Sequence, residues 1–192
     1  METLRITKAD LNERNEYTRS RDLEFEGHIE VEASLGWVTV RGFVRAAGRL
    51  GIEAGSGIKA GSGIEAGSGI EAGEGIKAGS GIEAGWGIEA GEGIEAGEGI
   101  EAGTGIKAGW GIKAGWGIEA GLWVKCKKVL SFKFRLFAGT AVWKKTVTYD
   151  EQLVECGEIQ GGTVVTGVVR EPGLPGEVVK VCCSKCGHEI AA

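Results

Sequence analysis

Gly51-Ile52-Glu53-Ala54-Gly55-Ser56-Gly57-Ile58-Lys59-Ala60-Gly61-Ser62 opens a run that continues to Gly121, with isoleucine at 52, 58, 64, 70, 76, 82, 88, 94, 100, 106, 112 and 118. The spacing of six never slips. In the hexad Gly-Ile-(Glu/Lys)-Ala-Gly-X, the glycines, the isoleucine and the alanine hold fixed. The third position takes only Glu or Lys, and the sixth takes Ser, Glu, Thr or Trp until Leu122 ends the series. A packed interior registers the change of a single methylene, so the two variable positions must face solvent. Ile and Ala, two residues apart, then point the other way, as residues i and i+2 of a strand do. Each Gly-X-Gly can turn a corner with backbone angles that other residues avoid. A strand tripeptide with two residues in and one out, joined by glycine corners, is the unit of a β-solenoid, in which each coil pairs with its neighbours and Ile stacks on Ile.

Other readings of the run fare worse. Two glycines in every six exclude a helix, since each costs about 1 kcal/mol relative to Ala. A collagen-like or polyproline bundle needs Gly at every third residue, whereas the glycine spacings here alternate between four and two. A flexible linker is rich in Ser and Pro and has no invariant isoleucine, and this stretch contains no Pro.

Ile52-Glu53-Ala54-Gly55-Ser56-Gly57, Ile64 to Gly69 and Ile100 to Gly105 resemble the hexapeptide-repeat β-helix family: an aliphatic residue, then Gly/Ala/Glu/Asp, two free positions, a small residue and a free one. Glu74, Trp86, Glu92, Glu98, Trp110 and Trp116 stand where that family has its small inward residue, a departure from the standard coil. Three hexads per coil would put Lys59, Lys77 and Lys113 on one face and make about four coils of the twelve hexads, each rising about 4.8 Å. The chain also resembles small phage and bacterial proteins in which tandem Ile-x-Ala hexads lie between a short helical start and a mixed C-terminal β region. The fold expected is therefore all-β, with residues 1–22 as an N-terminal helical cap and residues 23–122 as solenoid, the regular hexads occupying 51–122. Residues 123–170 are read as a basic C-terminal β region, and residues 171–192 as a hinge and Cys-rich tail.

Thr7-Lys8-Ala9-Asp10 is a capping-box signature and predicts two or three charged helical turns over Ala9 to Arg19. Such a lid would cover the bare core and unpaired strand edges of a solenoid end. From Leu23 the apolar residues alternate through Phe25, Ile29, Val31 and Ala33, then from Trp37 to Val44, as irregular early coils. Met1 to Asp22 is polar, so no secretory leader is expected. No apolar run approaches a membrane span, and the expected setting is the cytoplasm, that of the host cell if the chain is phage-encoded.

Charge divides the chain. The formal charge is about −1 up to residue 50, −7 over the hexads, where eleven Glu face four Lys, and +3 beyond, within a total of −5. Val124 to Leu136 alternates, with apolar residues at most even positions, which predicts Lys125, Lys127, Lys133 and Arg135 as a basic strip on one strand face. The strip suits an anionic ligand or, more simply, solvent or the acidic body of a neighbouring copy. Direct nucleic-acid binding is disfavoured by the acidic balance. Leu153 to Val169 adds short strand candidates, and Glu171-Pro-Gly-Leu-Pro-Gly176 holds both prolines of the chain as a hinge. Cys183-x-x-Cys186-Gly187 resembles one knuckle of a zinc ribbon, with His188, Cys182 or a second copy to complete the ligands. A flexible tail with free thiols is the plainer alternative, and no other cofactor is implied. Cys126 and Cys156 read as small buried hydrophobes.

Hexapeptide β-helix enzymes are mostly acyltransferases that use a histidine, yet only His28 and His188 exist, neither lies in the hexads, and no inserted loop builds a pocket. Rows of solvated carboxylates also lack the contrasting environments that separate an acid from a base. The expectation is a non-enzymatic, macromolecule-binding solenoid, a protein-interaction module that sequesters or inhibits a partner, with homo-oligomerisation and no membrane contact. The candidate binding residues are Trp86, Trp110 and Trp116, whose exposed indoles suit an interface, together with Glu65, Glu83, Glu101 and Glu119. The alternatives are an acidic mimic of DNA that blocks a nucleic-acid enzyme, and self-assembly into filaments of the bactofilin type. An anti-defence role would follow from the resemblance to phage proteins.

Overall fold

The computed structural model describes residues 1–170 in full, together with the backbone of Val181–Cys182 and Glu189–Ile190. The chain is a parallel β-solenoid of about eight turns, its strands falling on three sheets that we call sheets one, two and three in the order a regular coil visits them. One regular coil is Ile70–Ala72 on sheet one, Ile76–Ala78 on sheet two and Ile82–Ala84 on sheet three. The next coil begins at Ile88–Ala90, paired parallel with Ile70–Ala72, so that Ile88 stands on Ile70 and Ala90 on Ala72. Three hexads make a coil.

The packing follows from the tripeptide. From Ile58 to Ile118 every hexad isoleucine is at most 2 % exposed, and the alanines from Ala60 to Ala120 at most 4 %. Each buried isoleucine contributes about 1.5–3 kcal/mol relative to an exposed one, and the fixed hexad positions are those that line this core. The inward pair is Ile and Ala. The position that is small and inward in the hexapeptide-repeat pattern points outward here, with Trp86, Trp110 and Trp116 all more than half exposed.

Glycine is required at the corners for closeness rather than for unusual backbone angles. No glycine of the regular hexads after Gly55 has positive φ. A Cβ on Gly79 would lie 2.1 Å from the carbonyl oxygen of Gly61 below it, and on Gly97 2.0 Å from that of Gly79. The backbone of each corner sits directly on that of the last, with the Ser80 N–H donating to the Ser62 carbonyl at 3.1 Å and the Glu98 N–H to that of Ser80 at 3.1 Å.

Ile52 is out of step. Leu50 takes the place beneath Ile70, and Ile52 stands beneath Ala72. The corner beyond it is longer, with Gly55 at φ +72 stacked above Ser34 at φ +60. Ser56 then turns inward and is fully buried, its Oγ donating to the Glu32 carbonyl at 2.7 Å and accepting the Leu35 N–H at 2.9 Å. The unbroken spacing of six thus conceals a slip of two that lets the first hexad fit the irregular coil beneath.

The solenoid begins before Leu23: Thr3–Ile6 already pairs in parallel with His28–Val31 on sheet one. The expected helix over Ala9 to Arg19 is a single 3₁₀ turn, Lys8–Asp10. Its capping box is present, with the Thr7 N–H donating to Asp10 Oδ2 at 2.8 Å. Asn12 stops it, because its Oδ1 accepts the N–H groups of Arg14 and Glu16 and folds the chain back. Leu11 then bridges Tyr17, Glu16 bridges Thr39 on sheet two, and Tyr17 enters the core. A lid is there, made of a turn and bridges.

The basic C-terminal region is built on the same three sheets. Val124 stands on Ile106, Leu130 on Ile112 and Leu136 on Ile118, while Cys126, Phe132 and Ala138 continue the alanine column. Gly139 to Gln152 interrupts the coil, after which Leu153–Glu155, Glu158–Gln160, Thr163–Thr166 and Val168–Arg170 resume it. Two short antiparallel strands, Val181–Cys182 and Glu189–Ile190, follow Val168–Arg170 on sheet one. Among the described residues no helix is long and apolar enough to cross a membrane.

Candidate binding face

Stacking at 18 residues sorts the third-position charges into three columns, one on each sheet. On sheet two, Lys59, Lys77, Glu95 and Lys113 follow one another between Thr39 and Ser131. Lys59, Lys77 and Lys113 therefore do share a face. Glu95 pairs with Lys77 at 2.7 Å and with Lys113 at 3.4 Å, and the hydrogen bond from Lys77 above all holds its carboxyl below the ordinary value. On sheet one the column runs Glu71, Glu89, Lys107, Lys125, Glu155. There Arg49 pairs with Glu71, Lys107 with Glu89, and Lys125 with Glu155 at 3.8 Å.

Sheet three is different. Its column is Arg45, Glu65, Glu83, Glu101, Glu119, Phe137. Arg45 pairs with Glu65 at 3.3 Å. Among the described residues Glu83, Glu101 and Glu119 form no ion pair, although in-register neighbours in a β-sheet stand only about 4.8 Å apart. Burial raises the carboxyl of Glu101 above its ordinary value, and the charges of Glu119 and Glu83 push it the same way. Like charges stacked without counter-charge are destabilising in a sheet, so this run of three carries a cost that ion pairs offset on the other two sheets, apart from Lys59 stacked on Lys77.

The column forms one wall of a groove of about 650 Å³ that runs along the solenoid. Gly63, Gly81, Gly99 and Gly117, each preceding an inward isoleucine, make its floor; Glu98, Trp116 and Phe134 line the opposite side, with Phe43 and Arg135 also on its lining. Trp116 and Phe134 occupy successive turns of the corner between sheets two and three, the Phe134 N–H donating to the Trp116 carbonyl at 2.8 Å. Trp116 is 56 % exposed and Phe134 54 %.

The acidic candidates Glu65, Glu83, Glu101 and Glu119 are thus brought together, while the three indoles are not. Trp110 lies on the corner between sheets one and two, where Lys128 sits 5.1 Å from its ring centre. Trp86 lies on the corner between sheets three and one. Only Trp116 joins the groove. The basic strip is dispersed as well, because one coil needs three sheets: Lys125 faces out from sheet one, Lys127 and Lys133 stand at corners, and Arg135 opens the strand on sheet three. Phe43, Phe134, Phe137 and the glycine stripe were not singled out from sequence. The 18-residue period places them in columns, but which stripe lies open depends on where the indoles of Trp37 and Trp123 fall.

His28 has a structural task, its Nδ1 accepting the Arg49 N–H at 2.9 Å from the next coil. Cys126 and Cys156 are buried in the alanine column of sheet one. Burial, with a smaller push from Cys156, raises the Cys126 thiol to about 11, and burial raises that of Cys156. Both are therefore poor nucleophiles at neutral pH. The zinc-knuckle candidates Cys183, Cys186 and His188, and the hinge at 171–176, lie outside the described residues. Among the described residues no three His, Cys, Asp or Glu side chains converge as metal ligands. Comparison with known proteins adds no relative: no family model, no curated protein and no solved structure matches the chain.

Proposed function

We propose that this solenoid is a non-enzymatic interaction module that binds a protein partner with a basic surface through sheet three. The observation that supports it most strongly is the column Glu65, Glu83, Glu101, Glu119, whose upper three carboxylates form no ion pair among the described residues and stand beside an open groove with aromatic side chains on one wall. A partner that supplies cations relieves repulsion built into the free protein. Trp116 and Phe134 offer the rigid apolar contact area that interface hot spots favour. Binding a partner along four turns would block the surface it covers, which is how such a module sequesters or inhibits.

The DNA-mimic alternative fits less well. A duplex presents phosphates all round, whereas on sheets one and two Glu71, Glu89 and Glu95 are neutralised by Arg49, Lys107, Lys77 and Lys113. The longest run of carboxylates without an ion pair among the described residues is on sheet three, with Glu74 and Glu92 stacked on the corner between sheets one and two.

A photo-reactive amino acid at Ser80, on the corner beside the groove, should yield a discrete protein adduct in cells. The same probe at Lys59 on sheet two should not. Equal labelling from both positions, or none from Ser80, would contradict the assignment of the face. An adduct with a second copy of the chain would make the partner itself and the assembly a homo-oligomer.

A further inference from the structure

We infer that the sheet-three groove takes an extended, arginine-bearing segment of a protein partner, its guanidinium groups lying on the glycine stripe and pairing with Glu83, Glu101 and Glu119. The inference rests on the reading above that sheet three is the binding face, and names what that face recognises.

The molecule shows a related pairing on its own sheet one. A glycine stripe, Gly69, Gly87 and Gly105, runs there beside Glu71 and Glu89 in a smaller groove. Arg49 stands in the column of that stripe, immediately before Leu50, which stacks on Ile70. Its guanidinium lies against Gly51, 3.7 Å from where a Cβ would be, and pairs with Glu71 of the next coil. From the other end Trp123, in the same column, lays its indole over Gly105, within 2.4 Å of the Cβ position. On sheet two, Trp37 covers Gly57 and Gly75 in the same manner. Parts of two of the three stripes are therefore covered by the chain's own indoles, Gly105 by Trp123 and Gly57 and Gly75 by Trp37, while the Arg49 guanidinium flanks the sheet-one groove above Gly51.

Sheet three has the same floor and more carboxylates, and between Phe43 at one end and Arg135 at the other no described side chain lies on it. Among the described residues no side-chain atom comes within 4 Å of the Cβ positions of Gly63, Gly81 or Gly99, whose nearest neighbours are carbonyl oxygens at 3.3, 3.4 and 3.7 Å. The groove thus presents an open peptide floor beside a column of carboxylates, the group that Arg49 pairs with at the edge of the sheet-one groove. Guanidinium suits this place better than ammonium because it is flat, weakly hydrated and able to hold a carboxylate through two parallel hydrogen bonds. Lys77, Lys107 and Lys113, like Arg45, reach a glutamate directly above or below them in the strand columns. Three coil steps from Glu65 to Glu119 span about 14 Å, the length of about four extended residues, so a short linear segment is sufficient. Trp116 and Phe134 on the opposite wall can receive an aromatic side chain of the same segment.

Fluorescent octapeptides in which glycine alternates with arginine, lysine or glutamate test this directly, titrated by anisotropy against the full chain. The arginine peptide should bind, with lysine at least about tenfold weaker because it lacks the bidentate fit, and glutamate should not bind. The double change Glu83→Gln with Glu101→Gln should weaken the arginine peptide at least about tenfold, since charge-assisted hydrogen bonds are lost. Gly81→Trp, which lays an indole on the stripe as Trp37 and Trp123 do elsewhere, should have the same effect with an unchanged circular dichroism spectrum. If Gly81→Trp fails to fold, the double glutamate variant decides. No binding of the arginine peptide, equal binding of the lysine peptide, or wild-type affinity in the glutamate variant overturns the inference. Adducts from Ser80 under those conditions would leave sheet three a binding face and refute only its preference for arginine.

Discussion

At the scale of single residues, the two glycines of each corner look equivalent in sequence and are not. The first is pressed against the carbonyl of the coil below, while the second, at Gly63, Gly81 and Gly99 on sheet three, opens onto a groove. Gly97→Ala places a methyl 2.0 Å from the Gly79 oxygen, and overpacking of this kind costs about 1–3 kcal/mol. Gly99→Ala meets nothing closer than 3.7 Å and has no positive φ to lose, so by restricting the unfolded chain it should be neutral or stabilising by about 0.4–1 kcal/mol. Denaturant midpoints of the two variants check the contrast, and equal losses would show that the corners need glycine for another reason. The sequence makes the invariance of both glycines plain. It does not separate close approach from open floor, because that difference depends on which neighbouring coil each Cα faces.

At the scale of the sheet columns, the charge arrangements of sheets two and three predict opposite pH responses. Glu101 is raised above its ordinary value near 4.5, so between that value and the raised one the folded protein holds more proton than the unfolded chain, and stability falls as pH rises through the interval. Glu101→Gln should therefore raise the melting temperature at neutral pH, with the gain fading below the ordinary carboxylate range. Glu95 is lowered from about the same value, mainly by Lys77, so its contribution is present above 4.5 and is lost as pH falls through the lowered value. Glu95→Gln should lower the melting temperature at neutral pH and matter least in acid. Melting curves of both variants across pH test the pair, and shifts of the same sign would refute the column account. This level was partly legible: a period of 18 aligns Glu65, Glu83, Glu101 and Glu119 from spacing alone. The basic strip misled because Val124 to Leu136 alternates like one strand but bends around three sheets, with Lys127 and Lys133 at the corners. The N-terminal helix misled because the capping box is real, while Asn12 and the buried Tyr17 redirect the chain after one turn.

At the scale of the whole molecule, the core does not record which side of the solenoid a hexad occupies. Every regular hexad buries the same Ile and Ala, so the chain folds by period and acquires its faces from the third and sixth positions alone. That separation allows the face to be broken without breaking the fold. Deleting residues 88–93 removes one hexad, moves each later hexad to the previous sheet, and changes the sheet-three column to Glu65, Glu83, Lys107. Deleting residues 94–111 removes one whole coil and leaves Glu65, Glu83 and Glu119 in line, with Trp116 still beside the groove. Both deletions take out the same net charge, two negatives, so bulk electrostatics is matched. The decisive measurement is the yield of partner adduct from a photo-reactive residue at Ser80 in these two proteins, with circular dichroism confirming that both remain β-solenoids. The account predicts near wild-type yield after loss of the full coil and loss of the adduct when the single hexad is removed; undiminished labelling in the six-residue deletion would contradict it.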